Sequence, residues 1–102
     1  MHPREFISNN KDRFLEELFE LLKIQSVSTD LKFKSEVQKA ADYLFGQFKL
    51  LQLDNIEKIE TPGHPIVYAE KIINSTYPTI LVYGHYDVQP ADPYDLWDSA
   101  PF

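Results

Sequence analysis

The chain has 102 residues, which is enough for one small domain or for part of a larger one. Its 43% hydrophobic and 25% charged residues are typical of a globular protein and argue against disorder. The net charge is −6 and no basic residue follows Lys71, so the sequence offers no basic stripe that would bind a nucleic acid.

The sequence also lacks the features of membrane and secreted proteins. Its apolar runs are far shorter than the roughly 20 residues that a membrane-spanning helix needs. Residues 1–5 lead into polar sequence without the apolar region of a secretory signal. There is no cysteine, which excludes disulfides and thiolate metal sites. We therefore expect a cytoplasmic protein that does not bind membranes.

Two amphipathic helices are predicted in the first half of the chain. The first spans about residues 10–24 and can extend back to Pro3, since a first helical turn tolerates proline. A loop follows over residues 25–33. The second helix begins near Ser35, because Ser35 and Gln38 have the spacing of a capping box. We expect one apolar stripe of each helix to pack in the core. The stripes are Phe14, Leu15, Leu18, Leu21 and Leu22, then Val37, Ala41, Leu44, Phe48 and Leu51.

The second half of the chain predicts strands. Residues 55–60 form a weak candidate and residues 66–73 a better one, with turn residues between them. The apolar run at residues 79–83 predicts a strand buried on both faces. Residues 90–102 contain three prolines and predict an irregular segment. The fold class is therefore α/β, with two helices followed by about three strands.

A histidine and an aspartate follow the predicted buried strand. Gly84 ends the strand, and His85 and Asp87 come directly after it. Ligand sites in open α/β sheets lie at the carboxyl ends of strands. Residues two apart in an extended chain point the same way, with Cα atoms about 6–7 Å apart. The imidazole could therefore bind a metal through one nitrogen while the carboxylate orients the other N–H.

Other interpretations of this pair stay open at this point. Asp87 could instead bind the metal directly or accept a proton. In the simplest alternative, His85 is a polar residue at a strand end and Asp87 forms a turn, because isolated His-x-Asp triplets arise by chance. The preceding buried strand and Gly84, which permits close backbone approach, favour the metal site.

Three other groups are weaker candidates. His64 lies between Gly63 and Pro65, where a surface loop is expected. The acidic residues near the C-terminal end have a spacing of three, unlike a calcium-binding loop, and predict a solvated face. The serines lack the sequence context of a catalytic nucleophile. These acidic residues and serines are Asp92, Asp95, Asp98, Ser26, Ser28 and Ser35.

Four stretches of the chain, in order, resemble one protein family. They are LKIQSVST at residues 22–29, PIVYAE at residues 65–70, GHYDVQP at residues 84–90 and LWDSAPF at residues 96–102. The sequence resembles the dinuclear zinc peptidases, a family that includes carnosinase, cytosolic non-specific dipeptidase, aminoacylase and the glutamate carboxypeptidases. The agreement is greatest with the dipeptidase branch, and the heptapeptide around His85 is its most specific part.

The resemblance implies a function and a cofactor. It identifies His85 as a zinc ligand and Asp87 as the catalytic-site residue that orients the imidazole. Family members use two Zn²⁺ ions to hydrolyse amide bonds of dipeptides or acylated amino acids. The single histidine in this chain does not distinguish a zinc site from a Mn²⁺ or Co²⁺ site. The family's other metal ligands and its general base follow this segment. We therefore expect residues 1–102 to be the N-terminal part of a catalytic domain, inactive alone.

Two other function classes remain as alternatives. The chain could be a folding or assembly module, because a buried strand near its end would lack sheet neighbours and would pair with another chain. We then expect a homo-oligomer or dependence on the remainder of the domain. The chain could also be a peptide-binding scaffold, and a zinc titration separates that class from an enzyme.

Overall fold

Three helices precede a two-stranded sheet in the structure, a computed structural model that describes residues 1–102. The helices are α1 (Pro3–Asn9), α2 (Lys11–Leu22) and α3 (Lys34–Leu50), and the strands are β1 (Asp54–Ile59) and β2 (Ile66–Glu70). Single 3-10 turns lie at Leu31–Phe33 and Tyr94–Leu96.

The predicted first helix is confirmed as α2, but its extension back to Pro3 is not continuous, because residues 3–9 form a separate helix that meets α2 at Asn10. This residue leaves the helical conformation (φ −117°, ψ 10°), and its side-chain amide donates to the carbonyl of Phe6 (2.8 Å). The apolar stripe of α2 was expected to pack in the core, and this expectation is wrong. Leu15, Leu18 and Leu22 are exposed, because no other element of the chain covers that face of α2.

Helix α3 supplies three of the eight buried residues, and the apolar stripe predicted for it is confirmed in part: Val37 and Ala41 are buried, Leu44 and Phe48 are half-buried, and Leu51 is exposed. The helix begins at Lys34, and no side chain caps it, so the predicted capping box at Ser35 is wrong. The carboxylate of Asp30 instead caps the preceding 3-10 turn by accepting from the amide of Lys32 (3.1 Å). The fully buried residues of α3 are Val37, Ala40 and Ala41.

The two strands pair antiparallel, with Ile59 opposite Ile66, and α3 packs against them. A bulge near the start of β1 places Asn55 in the left-handed region (φ 47°), which asparagine tolerates better than most residues. The Lys58 ammonium bonds the Asp42 carboxylate of α3 (2.8 Å) and joins the sheet to the helix. Both predicted strands are confirmed, although β2 ends at Glu70 and not at residue 73.

The predicted third strand, at residues 79–83, is wrong for this chain. The segment forms no strand and makes no backbone hydrogen bond to either sheet strand. Its four apolar residues, Ile80 to Tyr83, are 86–90% exposed. A strand buried on both faces requires neighbours beside it and layers above and below it. None of the elements in residues 1–102 occupies those places.

The chain consequently buries little of its apolar surface. Eight of the 102 residues are buried, and the radius of gyration is 16.5 Å. A compact domain of this length has a radius of gyration of about 13 Å. The corrected architecture is three helices and two strands, followed by an extended segment that carries the candidate site.

Candidate metal centre

The candidate site is formed where residues 85–88 lie against the loop that joins α2 to the 3-10 turn. Val27 and Val88 form a parallel β-bridge, and the amide of Val88 donates to the carbonyl of Ser26 (3.0 Å). The hydroxyl of Ser26 donates to the carbonyl of Tyr86 (2.8 Å). Ser26 and Val27 are almost completely buried. The loop therefore fixes the backbone on both sides of Asp87.

His85 and Asp87 share a face, as their spacing predicts. The imidazole Nδ1 of His85 lies 2.9 Å from the Asp87 carboxylate Oδ1 and 3.1 Å from the Asp87 carbonyl oxygen. Both of these partners are acceptors, so Nδ1 carries the proton and donates. In the neutral ring Nε2 then keeps its lone pair, and no group of the chain bonds it. The imidazole is mostly exposed to solvent.

The Asp87 carboxylate has a different donor on each oxygen. The hydroxyl of Ser28 donates to Oδ2 (2.6 Å), while His85 donates to Oδ1. The bond from Ser28 lowers the pKa of Asp87 most, and the bond from His85 also lowers the pKa, while partial burial acts in the opposite direction. Asp87 is therefore ionised at neutral pH and acts as an acceptor in the site.

His64 lies in the predicted turn between β1 and β2, but its side chain is half-buried beside the site and is not a free surface group. Its Nε2 donates to the carbonyl of Ser28 (2.9 Å), and its Nδ1 is buried without a hydrogen-bond partner.

The hydroxyl of Tyr86 donates to the carbonyl of Pro65 in the same turn. Burial, followed by the charges of Asp87 and Glu60, raises the pKa of Tyr86.

An open cleft of roughly 730 Å³ adjoins the His85–Asp87 pair. It is lined by Ser28, Thr29, Tyr83, His85, Asp87, Val88 and Gln89. Nowhere in residues 1–102 do three or more His, Cys, Asp or Glu side chains lie close enough to hold a metal ion. The structure thus brings together one imidazole and one carboxylate, and the spaced aspartates at residues 92, 95 and 98 stay apart from them.

Ser26, Ser28 and His64 are site neighbours that sequence reasoning does not identify. Their sequence context argues only against nucleophilic catalysis, whereas the hydroxyls of Ser26 and Ser28 are donors to residues about 60 positions later. The one local signal is the Ser-Val-Ser pattern, in which two small hydroxyl residues flank a buried valine. That pattern does not indicate which distant segment the hydroxyls bond.

No helix of the structure has the length and apolar composition that crossing a lipid bilayer requires.

Comparison with known proteins identifies a class of enzymes, the metal-dependent dipeptidases, as similar to this chain. It is 32% identical over 107 residues to the Cys-Gly metallodipeptidase dug1 of Schizosaccharomyces pombe, and 33% identical over 108 residues to that of Candida albicans. The alignments cover 96% and 94% of this chain. They cover 22% of each relative, so the chain spans about a fifth of the length of the curated relatives that it matches.

The fold is similar to that of a solved dipeptidase structure. Dug1p of Saccharomyces cerevisiae superposes with a TM-score of 0.84 at 30% identity, over 93% of this chain and 22% of that one. No family model matches the chain. The α/β fold class and the resemblance to the dipeptidase branch, both predicted from the sequence, are confirmed for the segment that the chain spans.

Replacing Ser26 tests the contact that fixes the site's backbone. Ser26→Ala removes a half-buried hydrogen bond to the carbonyl of Tyr86, so we expect the free energy of unfolding to fall by about 0.5–1.5 kcal/mol. Ser75→Ala is the matched control, because the exposed Ser75 hydroxyl makes no hydrogen bond, and it should change stability by less than about 0.5 kcal/mol. Urea unfolding measures the stability of both variants. Equal stability of the two would contradict the role of the Ser26 hydroxyl in fixing the backbone at Tyr86.

Proposed function

We propose that residues 1–102 are part of the catalytic domain of a metal-dependent, dipeptidase-like hydrolase that cleaves amide bonds of dipeptides or acylated amino acids. One observation carries the proposal: His85 and Asp87 are paired at 2.9 Å in a chain that is similar to metallodipeptidases over almost its whole length. The remaining four-fifths of those relatives has no counterpart in residues 1–102.

In this proposal His85 holds a metal ion through Nε2, and Asp87 orients the ring from Nδ1. The donor chemistry fits, because a ligating histidine commonly donates its other N–H to a carboxylate, which fixes the tautomer and raises the basicity of the ligating nitrogen. One imidazole is only part of a site, since a catalytic zinc has about three protein ligands and an open position. The other ligands and the general base would come from residues outside 1–102.

Zn²⁺ is the proposed ion, two per complete site, with Mn²⁺ or Co²⁺ as substitutes. Imidazole is a good ligand for zinc, and the names of the relatives support a metal cofactor. A bound metal of this kind polarises the scissile carbonyl and lowers the pKa of a bound water. A single neutral imidazole and an adjoining carboxylate are the groups that this chain contributes.

The proposed substrate is a small peptide and the proposed compartment is the cytoplasm. The yeast relatives are named for Cys-Gly, and a relative from Corynebacterium striatum is a cysteinylglycine-S-conjugate dipeptidase. These names support a dipeptide as the substrate. The cysteine-free sequence supports the compartment, since the cytoplasm keeps thiols reduced and its proteins rarely depend on disulfides.

Replacing His85 tests the proposed ligand. In the protein that carries the complete catalytic domain, His85→Ala should weaken metal binding and lower dipeptide hydrolysis by about 100-fold or more. Loss of a residue that only hydrogen-bonds a metal ligand already lowers metal affinity or activity by about 10–100-fold, and His85 is the proposed ligand itself. Elemental analysis after dialysis and a hydrolysis assay measure the two effects. His2→Ala is the control, because His2 lies at the exposed start of α1. Unchanged metal content and hydrolysis in His85→Ala would eliminate the assignment.

A second candidate function is a non-catalytic folding or assembly module, favoured by the exposed segment at residues 79–83. Its apolar side chains and unpaired backbone groups are suited to strand pairing with another chain. The partner is then either a second copy or the remainder of the domain. A zinc titration of the 102-residue chain, side by side with the protein that carries the complete catalytic domain, separates this module and a peptide-binding scaffold from a metallohydrolase. If neither protein binds zinc, the metallohydrolase is disfavoured.

The assembly proposal is tested on the 102-residue chain by light scattering. We expect oligomers, or a monomer only when a complementing segment is added. Leu81→Lys should reduce self-association, because a charge in the pairing segment opposes its burial. Leu31→Lys is the matched control, since Leu31 is 87% exposed and Leu81 is 90% exposed, but Leu31 lies in a 3-10 turn. A stable monomer of the unmodified chain would contradict the module.

A further inference from the structure

We infer that Ser28 is a positioning residue for the metal-ligand imidazole, acting through Asp87. The inference deepens the proposed function and rests on it only in taking His85 as a ligand. The family resemblance implies roles for His85 and Asp87 and none for Ser28.

Two hydrogen bonds restrict the rotation of the Asp87 carboxylate. The final torsion of an aspartate side chain is broad and roughly two-fold, so a carboxylate with one partner rotates readily. Asp87 has two partners on different oxygens: Ser28 Oγ at 2.6 Å from Oδ2 and His85 Nδ1 at 2.9 Å from Oδ1. Together these bonds set the plane of the carboxylate. The Ser28 hydroxyl thus holds Oδ1 where the imidazole needs it.

Ser28 is itself held in place by two other segments of the chain. Its carbonyl accepts from Nε2 of His64 (2.9 Å), which belongs to the turn between β1 and β2. The residue before it, Val27, forms the parallel bridge with Val88. A continuous series of bonds therefore runs from His64 through Ser28 and Asp87 to His85. The contacts with His64 and Val88 fix the backbone at Ser28 and at the preceding Val27. The Ser28 hydroxyl therefore has a defined position relative to the Asp87 carboxylate.

Loss of the hydroxyl should loosen the imidazole without removing its partner. Asp87 is partly exposed, so water can replace Ser28 on Oδ2, but water does not fix the rotation of the carboxylate. The Nδ1–H tautomer of His85, which leaves Nε2 free for a metal, should then be less populated but not lost, because the Asp87 carbonyl, 3.1 Å from Nδ1, remains as a fixed acceptor. We expect metal affinity to fall by roughly 3- to 10-fold, below the 10–100-fold typical of residues that bond a ligand directly.

The test compares substitutions of Ser28 in the protein that carries the complete catalytic domain. Ser28→Ala removes the hydroxyl. Ser28→Thr and Ser28→Val have nearly the same shape and differ in the hydroxyl, so their comparison is independent of any disturbance by the added methyl groups. Ser75→Ala again serves as the control for removing an exposed serine hydroxyl.

Two measurements decide the inference. Nitrogen NMR of ¹⁵N-histidine-labelled, metal-free protein at about pH 8.5, where imidazoles are neutral, reports the tautomer of His85. Competition with a chelator gives the dissociation constant for Zn²⁺. We expect Ser28→Ala and Ser28→Val to lose Nδ1–H tautomer and to bind Zn²⁺ more weakly than Ser28→Thr and Ser75→Ala. A structural role alone would not separate Thr from Val in the tautomer ratio.

Failure of the inference is distinguishable from failure of the proposed function. If Ser28→Thr and Ser28→Val have the same tautomer ratio and the same Zn²⁺ affinity, the positioning role is overturned, even where Ser28→Ala fails to fold. If His85→Ala retains its metal, the proposed function fails. The tautomer ratio in the metal-free protein then still decides whether Ser28 orients the imidazole.

Discussion

The hydrogen bond from His85 Nδ1 to the Asp87 carboxylate is the interaction on which the site depends. It fixes which nitrogen of the ring carries the proton, and it leaves the other nitrogen with a free lone pair. The bond forms because the two residues alternate with Tyr86 along an extended segment, and because the loop at residues 25–29 holds that segment by a β-bridge and two serine hydroxyls. The chemistry of the site is thus determined by a contact between segments about 60 residues apart.

The same extended segment reveals a conflict between the sequence and the structure of this chain. Residues 79–83 have the composition of an interior strand, yet they are almost fully exposed and without strand neighbours. The apolar face of α2 is uncovered as well. Both surfaces are suited to packing against further layers of an α/β domain. The proposal that residues 1–102 are part of a larger catalytic domain accounts for both surfaces with one assumption.

Local patterns predicted the parts of the fold that local interactions determine. The periodicity of α3, the two strands around the Pro-rich turn, and the shared face of His85 and Asp87 were all predictable, because each follows from the spacing of neighbouring residues. The break at Asn10, the exposure of residues 79–83 outside any strand, and the roles of Ser26, Ser28 and His64 were not. Each of these depends on which distant segment is present beside the residue, and spacing along the chain carries no such information.

The most direct test of the account is a crystal structure of the zinc-loaded protein with its complete catalytic domain, with the metal located by anomalous scattering at the zinc edge. The account predicts a zinc ion about 2.0–2.1 Å from Nε2 of His85, with Nδ1 of the same ring bonded to the Asp87 carboxylate. A zinc ion bound to Nδ1, or a zinc site from which His85 is absent while its ring is turned away from Asp87, would contradict the account.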